Sequence, residues 1–206
     1  VVLVEKVRIR RFSFFPFEFF RLRDSVSEKF HQASLLCLSI SIIMAGLVMI
    51  NNEYIKLITM EKLSLNTFFL GFSFPLSLIT FSIVFSMLKK VEANILKIIM
   101  EICFWTITLG VIIFFIFILF GLLTPQFFVT IALLCAVIIV FLLYTKFAET
   151  IQQKLFLTSG IGFLIFTAIT GIVYIFFEMS GDYDPAKLKW LLNIHVFASL
   201  YGWNLC

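Results

Sequence analysis

The chain has 206 residues, 62% of them hydrophobic and only 14% charged, with a net charge of +4 and a mean hydropathy of +1.10. Soluble domains run at about 45–50% apolar and about 25% charged, so composition alone excludes an ordinary soluble domain and a membrane protein is expected. Phenylalanine, with 28 residues, is over-represented. Its bulk suits surfaces that face lipid.

Residues 1–32 differ in composition from the rest. They hold seven of the sixteen basic residues (Lys6, Arg8, Arg10, Arg11, Arg21, Arg23 and Lys29), interleaved with Phe12, Phe14, Phe15, Phe17, Phe19 and Phe20. The segment lacks the order of a signal peptide, because the apolar run comes too late and no small-residue cleavage site follows. Basic and aromatic residues together suit a cytoplasmic, interfacial segment lying among anionic lipid headgroups. Arg and Phe also serve nucleic-acid binding, but next to about 170 residues of membrane protein the lipid surface is the better reading. No nucleic-acid partner is expected.

A hydrocarbon core of about 30 Å needs around 20 apolar residues per helix. Residues 33–206 contain six such runs, at 33–50, 66–88, 98–123, 127–147, 155–177 and 188–206. The expected fold is therefore an all-α, six-span transmembrane helix bundle. Twelve Lys and Arg fall on the side of the N-terminus and four on the other, which orients the N-terminus to the cytoplasm. The natural setting is a cell membrane, such as the inner membrane of a bacterium. Leu123-Thr124-Pro125-Gln126 is expected to turn the third span sharply into the fourth, with Pro125 setting the bend. No loop is long enough to house a soluble catalytic unit. The chain begins with Val rather than Met, and its last apolar run stops at Cys206 without a polar anchor. Those two features lead us to expect a fragment, truncated at the C-terminus.

The last run, LKWLLNIHVFASLYGWNLC, carries the densest set of polar groups of any span. At 100° per residue His195, Ser199, Gly202 and Cys206 share one side, and Trp190, Asn193, Tyr201 and Asn204 fall roughly opposite. Polar groups on both sides suggest an inner helix with the others packed around it.

Ionisable groups inside a membrane are candidates for function by default. Glu101 lies toward the inner face, and Glu178, Asp182, Asp184 and His195 lie in the outer half. The candidate polar cluster is His195, Asn193, Tyr201, Asn204, Glu178 and Glu101, with no catalytic or metal-ligating set among them. A route from the outer acidic loop through His195 to Glu101 resembles a proton path. Boundary carboxylates that simply hydrate are the plainer reading.

The fifth span carries Gly160, Thr167, Gly171, Tyr174 and Glu178 on one stripe, which reads as a packing seam against the sixth. In the second span, Pro75 with Ser73, Ser77 and Thr80 suggests a kink. Cys37, Cys103, Cys135 and Cys206 each sit in an apolar run and form no Cys-x-x-Cys pair, so zinc and disulfides are not indicated.

The string NIHVFASLYGW is similar, over little more than ten residues, to the His-bearing helices of haem-copper oxidase subunits. That resemblance implies haem as a cofactor with His195 as axial ligand. A haem-copper centre needs several histidines, and this chain has His31 and His195 only. A packing histidine is the plainer reading, and no cofactor is required. Phosphate-loop, zinc-protease, nucleophile-elbow and prenylation motifs are absent. Ser159-Gly160-Ile161-Gly162 opens a membrane helix and is no dinucleotide loop. The sequence thus suggests a non-enzymatic transport component or a subunit among other membrane subunits. A redox or proton-handling protein built on His195 is the alternative.

Overall fold

The computed structural model describes residues 25–55, 69–88, 94–148, 152–181 and 184–203. The fold is all-α: among the described residues there are six α-helices and no strand, only an isolated antiparallel bridge. The helices are α1 (Val26–Ile50), α2 (Phe74–Ser86), α3 (Asn94–Phe120), α4 (Leu123–Phe147), α5 (Gln152–Ser180) and α6 (Pro185–Phe197). Short π-helical stretches extend α1 (Asn51–Ile55), precede α2 (Phe69–Ser73) and extend α6 (Ala198–Trp203).

Four helices, α1, α3, α4 and α5, are long and apolar enough to cross a membrane. Their apolar side chains point outward as well as inward. Ile43 and Met49 on α1 and Leu155 on α5 are largely exposed. Water would not tolerate so much contiguous apolar surface, whereas lipid does.

The chain divides into two compact units, one ending at Ser86 and the other starting at Met87. In the first, α1 and α2 form an antiparallel pair joined along a serine seam. The buried and half-buried seam positions of α1 are Ser27, Phe30, Ser34, Cys37 and Ser41, alternately three and four residues apart. This spacing keeps one stripe facing a partner helix, and its small side chains let the backbones approach. Ser27 Oγ donates to the Ser82 carbonyl and Ser82 Oγ to the Ser27 carbonyl, both at 2.8 Å. Ser34 Oγ donates to the Pro75 carbonyl at 2.8 Å. A Cβ on Gly71 would come within 3.1 Å of Ser41 Cβ. Between the serines, the Phe30 ring stacks on Phe81 and Phe85, with centroids 5.5 and 5.3 Å away.

Two boundaries in this unit have local causes. α1 starts at Val26, seven residues before the hydropathy boundary at Ala33, because Ser25 and Glu28 form a reciprocal capping box. The kink expected at Pro75 takes the form of the π stretch Phe69–Ser73, which ends one residue before α2 begins. A proline ring collides with the carbonyl four residues back, and a locally wider helix accommodates it.

In the second unit α3, α4, α5 and α6 pack as sequential neighbours, each against the next. The sharp turn between α3 and α4 is made by Gly121 and Leu122, and not by Pro125 as the sequence suggested. Gly121 has φ +69°, in the left-handed region that glycine enters without steric cost. Pro125 lies in the first turn of α4, where its missing N–H has no helical acceptor to lose.

Across the α3–α4 contact, Cys103 Sγ points at the Ala136 carbonyl, 3.9 Å away. At the other end of α4 the chain is tied down by polar contacts. Lys154 Nζ donates to the Thr145 and Ala148 carbonyls at 2.9 and 3.1 Å. Leu88 bridges to Ala148 in antiparallel fashion, and the buried Tyr144 hydroxyl reaches Met87 Sδ at 3.5 Å.

Within the second unit α6 is not the inner helix that its two-sided polarity suggested. It lies on α5 through Leu188, Leu191, Ala198, Gly202 and Trp203, all buried. Trp190, Asn193, Phe197 and Tyr201 face outward. One neighbouring helix is enough to satisfy the polar face that bears His195, so a full ring of helices is not required.

Candidate functional site

The site is built where α6 crosses α5 at His195. His195 follows Leu188 and Leu191 and precedes Ala198 and Gly202 on the stripe that meets α5. Its Nδ1 lies 3.1 Å from the Thr167 carbonyl oxygen and 3.1 Å from Thr170 Oγ1. Both threonines are buried. Each hydroxyl proton is already committed to its own helix: Thr167 Oγ1 donates to the Phe163 carbonyl, and Thr170 Oγ1 to the carbonyls of Phe166 and Thr167.

Proton bookkeeping then fixes the histidine tautomer. A carbonyl only accepts, so the Thr167 contact requires the proton on Nδ1. In the neutral ring Nε2 is left as the nitrogen with a free lone pair. Gly171 makes room for the arrangement, since a Cβ there would approach His195 Cε1 to 3.3 Å. A histidine whose Nδ1–H is held by a backbone carbonyl has the tautomer and fixed orientation common to metal- and haem-ligating histidines. The same bond equally satisfies a histidine that only packs.

The expected seam on α5 is present in part. Thr167 and Gly171 meet α6 at His195, whereas Glu178 is exposed and lies about 16 Å further along α5 than Thr167 at 1.5 Å per residue. Thr170 belongs to the site and was not singled out in the sequence. A Thr-x-x-Thr-Gly run on an apolar helix, at 167–171, is the pattern that carries it.

The other candidate residues do not join His195. Asn193 is exposed on the opposite face of α6. Tyr201 is also exposed, and its ring stacks on Phe197 with centroids 5.4 Å apart. Glu101 is half-buried on α3, which packs on α4. Asn204, Asp182 and Cys206 lie outside the described residues, as do the basic and aromatic residues 1–24 and most of the 51–65 loop. His195 itself is ten residues from Pro185, about 15 Å along the helix, in the last turn of α6 and near the midpoint of the continuous helical stretch from Pro185 to Trp203. Among the described residues no group of three or more His, Cys, Asp or Glu side chains is placed to hold a metal ion.

Two buried hydroxyls, Ser73 Oγ on the π stretch before α2 and Thr108 Oγ1 on α3, have no hydrogen-bond partner among the described residues. Comparison of the chain with known protein families, curated proteins and solved structures gives no match.

Proposed function

We propose that this chain is a non-enzymatic component of a membrane assembly, serving transport or holding a larger complex together. The observation that supports this most is the outward face of α6. There a carboxamide, Asn193, stands among Trp190, Phe197 and Tyr201, all of them exposed. Asparagine on a membrane helix bonds across helix–helix contacts, and aromatic residues are enriched at the cores of protein interfaces. A face of this kind suits a protein neighbour better than lipid.

The same reading takes α1 to α6 as six spans, with the N-terminus in the cytoplasm of a bacterial cell. The twelve-to-four distribution of Lys and Arg supports that orientation. Residues 1–32 would then lie against anionic headgroups of the inner leaflet. A photoreactive amino acid at position 201 tests the assembly. Adducts with a polypeptide are expected, and adducts with lipid alone would overturn the reading. A thiol-labelling tag in the 51–65 loop tests the orientation, which labelling from the cytoplasmic side would reverse.

A second reading is favoured by the His195 tautomer. With Nδ1–H anchored on Thr167, the Nε2 lone pair is oriented and available to a haem iron or a relayed proton. The absorption spectrum of the purified protein, oxidised and then dithionite-reduced, decides the haem form. A Soret band that shifts on reduction supports it, and a flat visible spectrum removes it.

A further inference from the structure

α6 is not among the helices long and apolar enough to cross a membrane. Its stretch from Pro185 to Trp203 carries Lys187, Lys189, Asn193 and His195, all of which oppose transfer into hydrocarbon. Yet the stretch runs deep along α5, which is apolar enough to cross. α5 ends at Ser180, α6 begins at Pro185, and Gly181 has φ +78°, so the chain turns back within four residues. His195 then meets Thr167 and Thr170, and further on Gly202 meets Phe163. Phe163 lies about 25 Å along α5 from Ser180, against a hydrocarbon core of about 30 Å.

The contact between the two helices accounts for this depth. Leu188, Leu191, His195, Ala198 and Gly202 follow one another at alternating steps of three and four, the spacing that holds one stripe against one partner. Their side chains shrink from leucine to alanine and glycine along the stretch. At its far end there is no room for a methyl group, since a Cβ on Gly202 would strike the Phe163 ring. On α5, a Cβ at Gly171 would come within 3.3 Å of His195 Cε1. Between these close approaches the Thr167 carbonyl accepts the His195 Nδ1–H. Packing and hydrogen bonds of this kind hold helices together in a bilayer, because apolarity gives them no preference for each other over lipid.

We infer that α6 enters the hydrocarbon only as the second arm of a hairpin with α5 and leaves it when that pairing is broken, whereas α5 spans with or without α6. This rests on the reading of α1 to α6 as six spans, and adds what holds the sixth in place.

The two glycines separate pairing from apolarity. G202L makes α6 more apolar and G171L makes α5 more apolar, which favours insertion of a helix that partitions by itself. Both substitutions also fill the space through which the helices meet. Pairing and apolarity therefore predict opposite results.

The test uses the full chain in membranes opened so that both faces meet a membrane-impermeant maleimide, with labelling counted over the parent protein. S199C, between His195 and Gly202 on α6, reports on α6. I169C, on the outward side of α5, reports on α5. S199C is expected to be protected in the otherwise unchanged chain and to be labelled when G202L or G171L is added. I169C is expected to stay protected throughout, and F163A is expected to return protection to S199C in G202L, because it removes the ring that the leucine meets. S199C protected in both glycine variants overturns the inference and leaves the six spans standing. S199C labelled in the otherwise unchanged chain means that α6 is not in the hydrocarbon, and the six-span reading falls with the inference. Labelling of I169C in G202L overturns the one-way dependence, since α5 then needs α6 as well.

Discussion

Gly202 lies so close to Phe163 that a Cβ built on it would collide with the ring. This contact lets the end of α6 settle on α5 one and a half to two turns from His195, and a side chain there must displace an aromatic ring. Overpacking of a filled contact costs about 1–3 kcal/mol. Gly202→Ala is therefore expected to destabilise the protein by an amount in that range, read as a lower midpoint in thermal or denaturant unfolding in detergent. Phe163→Ala in the same chain should return part of the loss, because the ring is what the new methyl meets. Additive effects of the two changes would mean that the close approach is not formed.

The serine seam between α1 and α2 makes a second, graded expectation. Ser34 donates across the helix pair to Pro75, whereas Ser39 donates to Leu35 within α1. Interhelical hydrogen bonds in membranes average about 0.6 kcal/mol and reach about 1.7. Ser34→Ala should cost roughly that amount, and Ser39→Ala should be near neutral. Ser34→Leu should cost more than Ser34→Ala, since the site is 1% exposed and a larger side chain would push the helices apart. Equal behaviour of the Ser34 and Ser39 variants in an unfolding series would contradict the seam.

Much of the architecture was legible before any coordinates. Apolar runs of membrane length and the near absence of charge within them gave the all-α class, because backbone groups in lipid must bond within their own segment. Local chemistry that hydropathy averages away was harder to see. The start of α1 at Val26 depends on a Ser25–Glu28 capping box that sits among basic and aromatic residues. At the α3–α4 turn, Pro125 drew the prediction, yet Gly121 alone adopts the left-handed conformation.

For the site, the helical wheel correctly grouped His195 with Gly202. It misjudged the helix as central because polar residues on the far side were taken to need protein around them within the same unit. Thr170 went unnoticed because a threonine that bonds its own helix looks the same in sequence as one that also faces a histidine.

The end of α4 yields a third prediction. Lys154, in the first turn of α5, donates to two carbonyls at the end of α4, where the helix dipole places partial negative charge. Hydrogen bonds from charged groups contribute about 1.5–3 kcal/mol, and Lys154 is half-buried, so about 1–2 kcal/mol is a fair expectation. Lys154→Met keeps the aliphatic stem and removes the donors. It should lower the unfolding midpoint and expose the Ala148 amide and its neighbours to faster hydrogen exchange. Lys154→Arg should recover part of the loss. If Lys154→Met leaves exchange at residues 145–148 unchanged, the clamp is not what orders that end.

The last prediction separates the two roles open to His195. As a packing residue it contributes one shared hydrogen bond to α5, from Nδ1 to Thr167 and Thr170. Thr170→Val removes one acceptor and leaves the Thr167 carbonyl in place, so stability should fall by no more than about 0.6 kcal/mol. His195→Asn keeps a donor of smaller reach and should cost more than Thr170→Val. As a ligand or relay, by contrast, His195 acts through Nε2, which neither threonine touches. Thr170→Val should then leave the visible spectrum or proton uptake of reconstituted vesicles almost as in wild type, whereas His195→Asn should abolish it with the fold intact. A packing role predicts no spectral or uptake signal in any variant, with stability alone following the hydrogen bonds. Measuring unfolding and spectrum on the same three preparations therefore assigns the residue, because the two roles use opposite nitrogens of one ring.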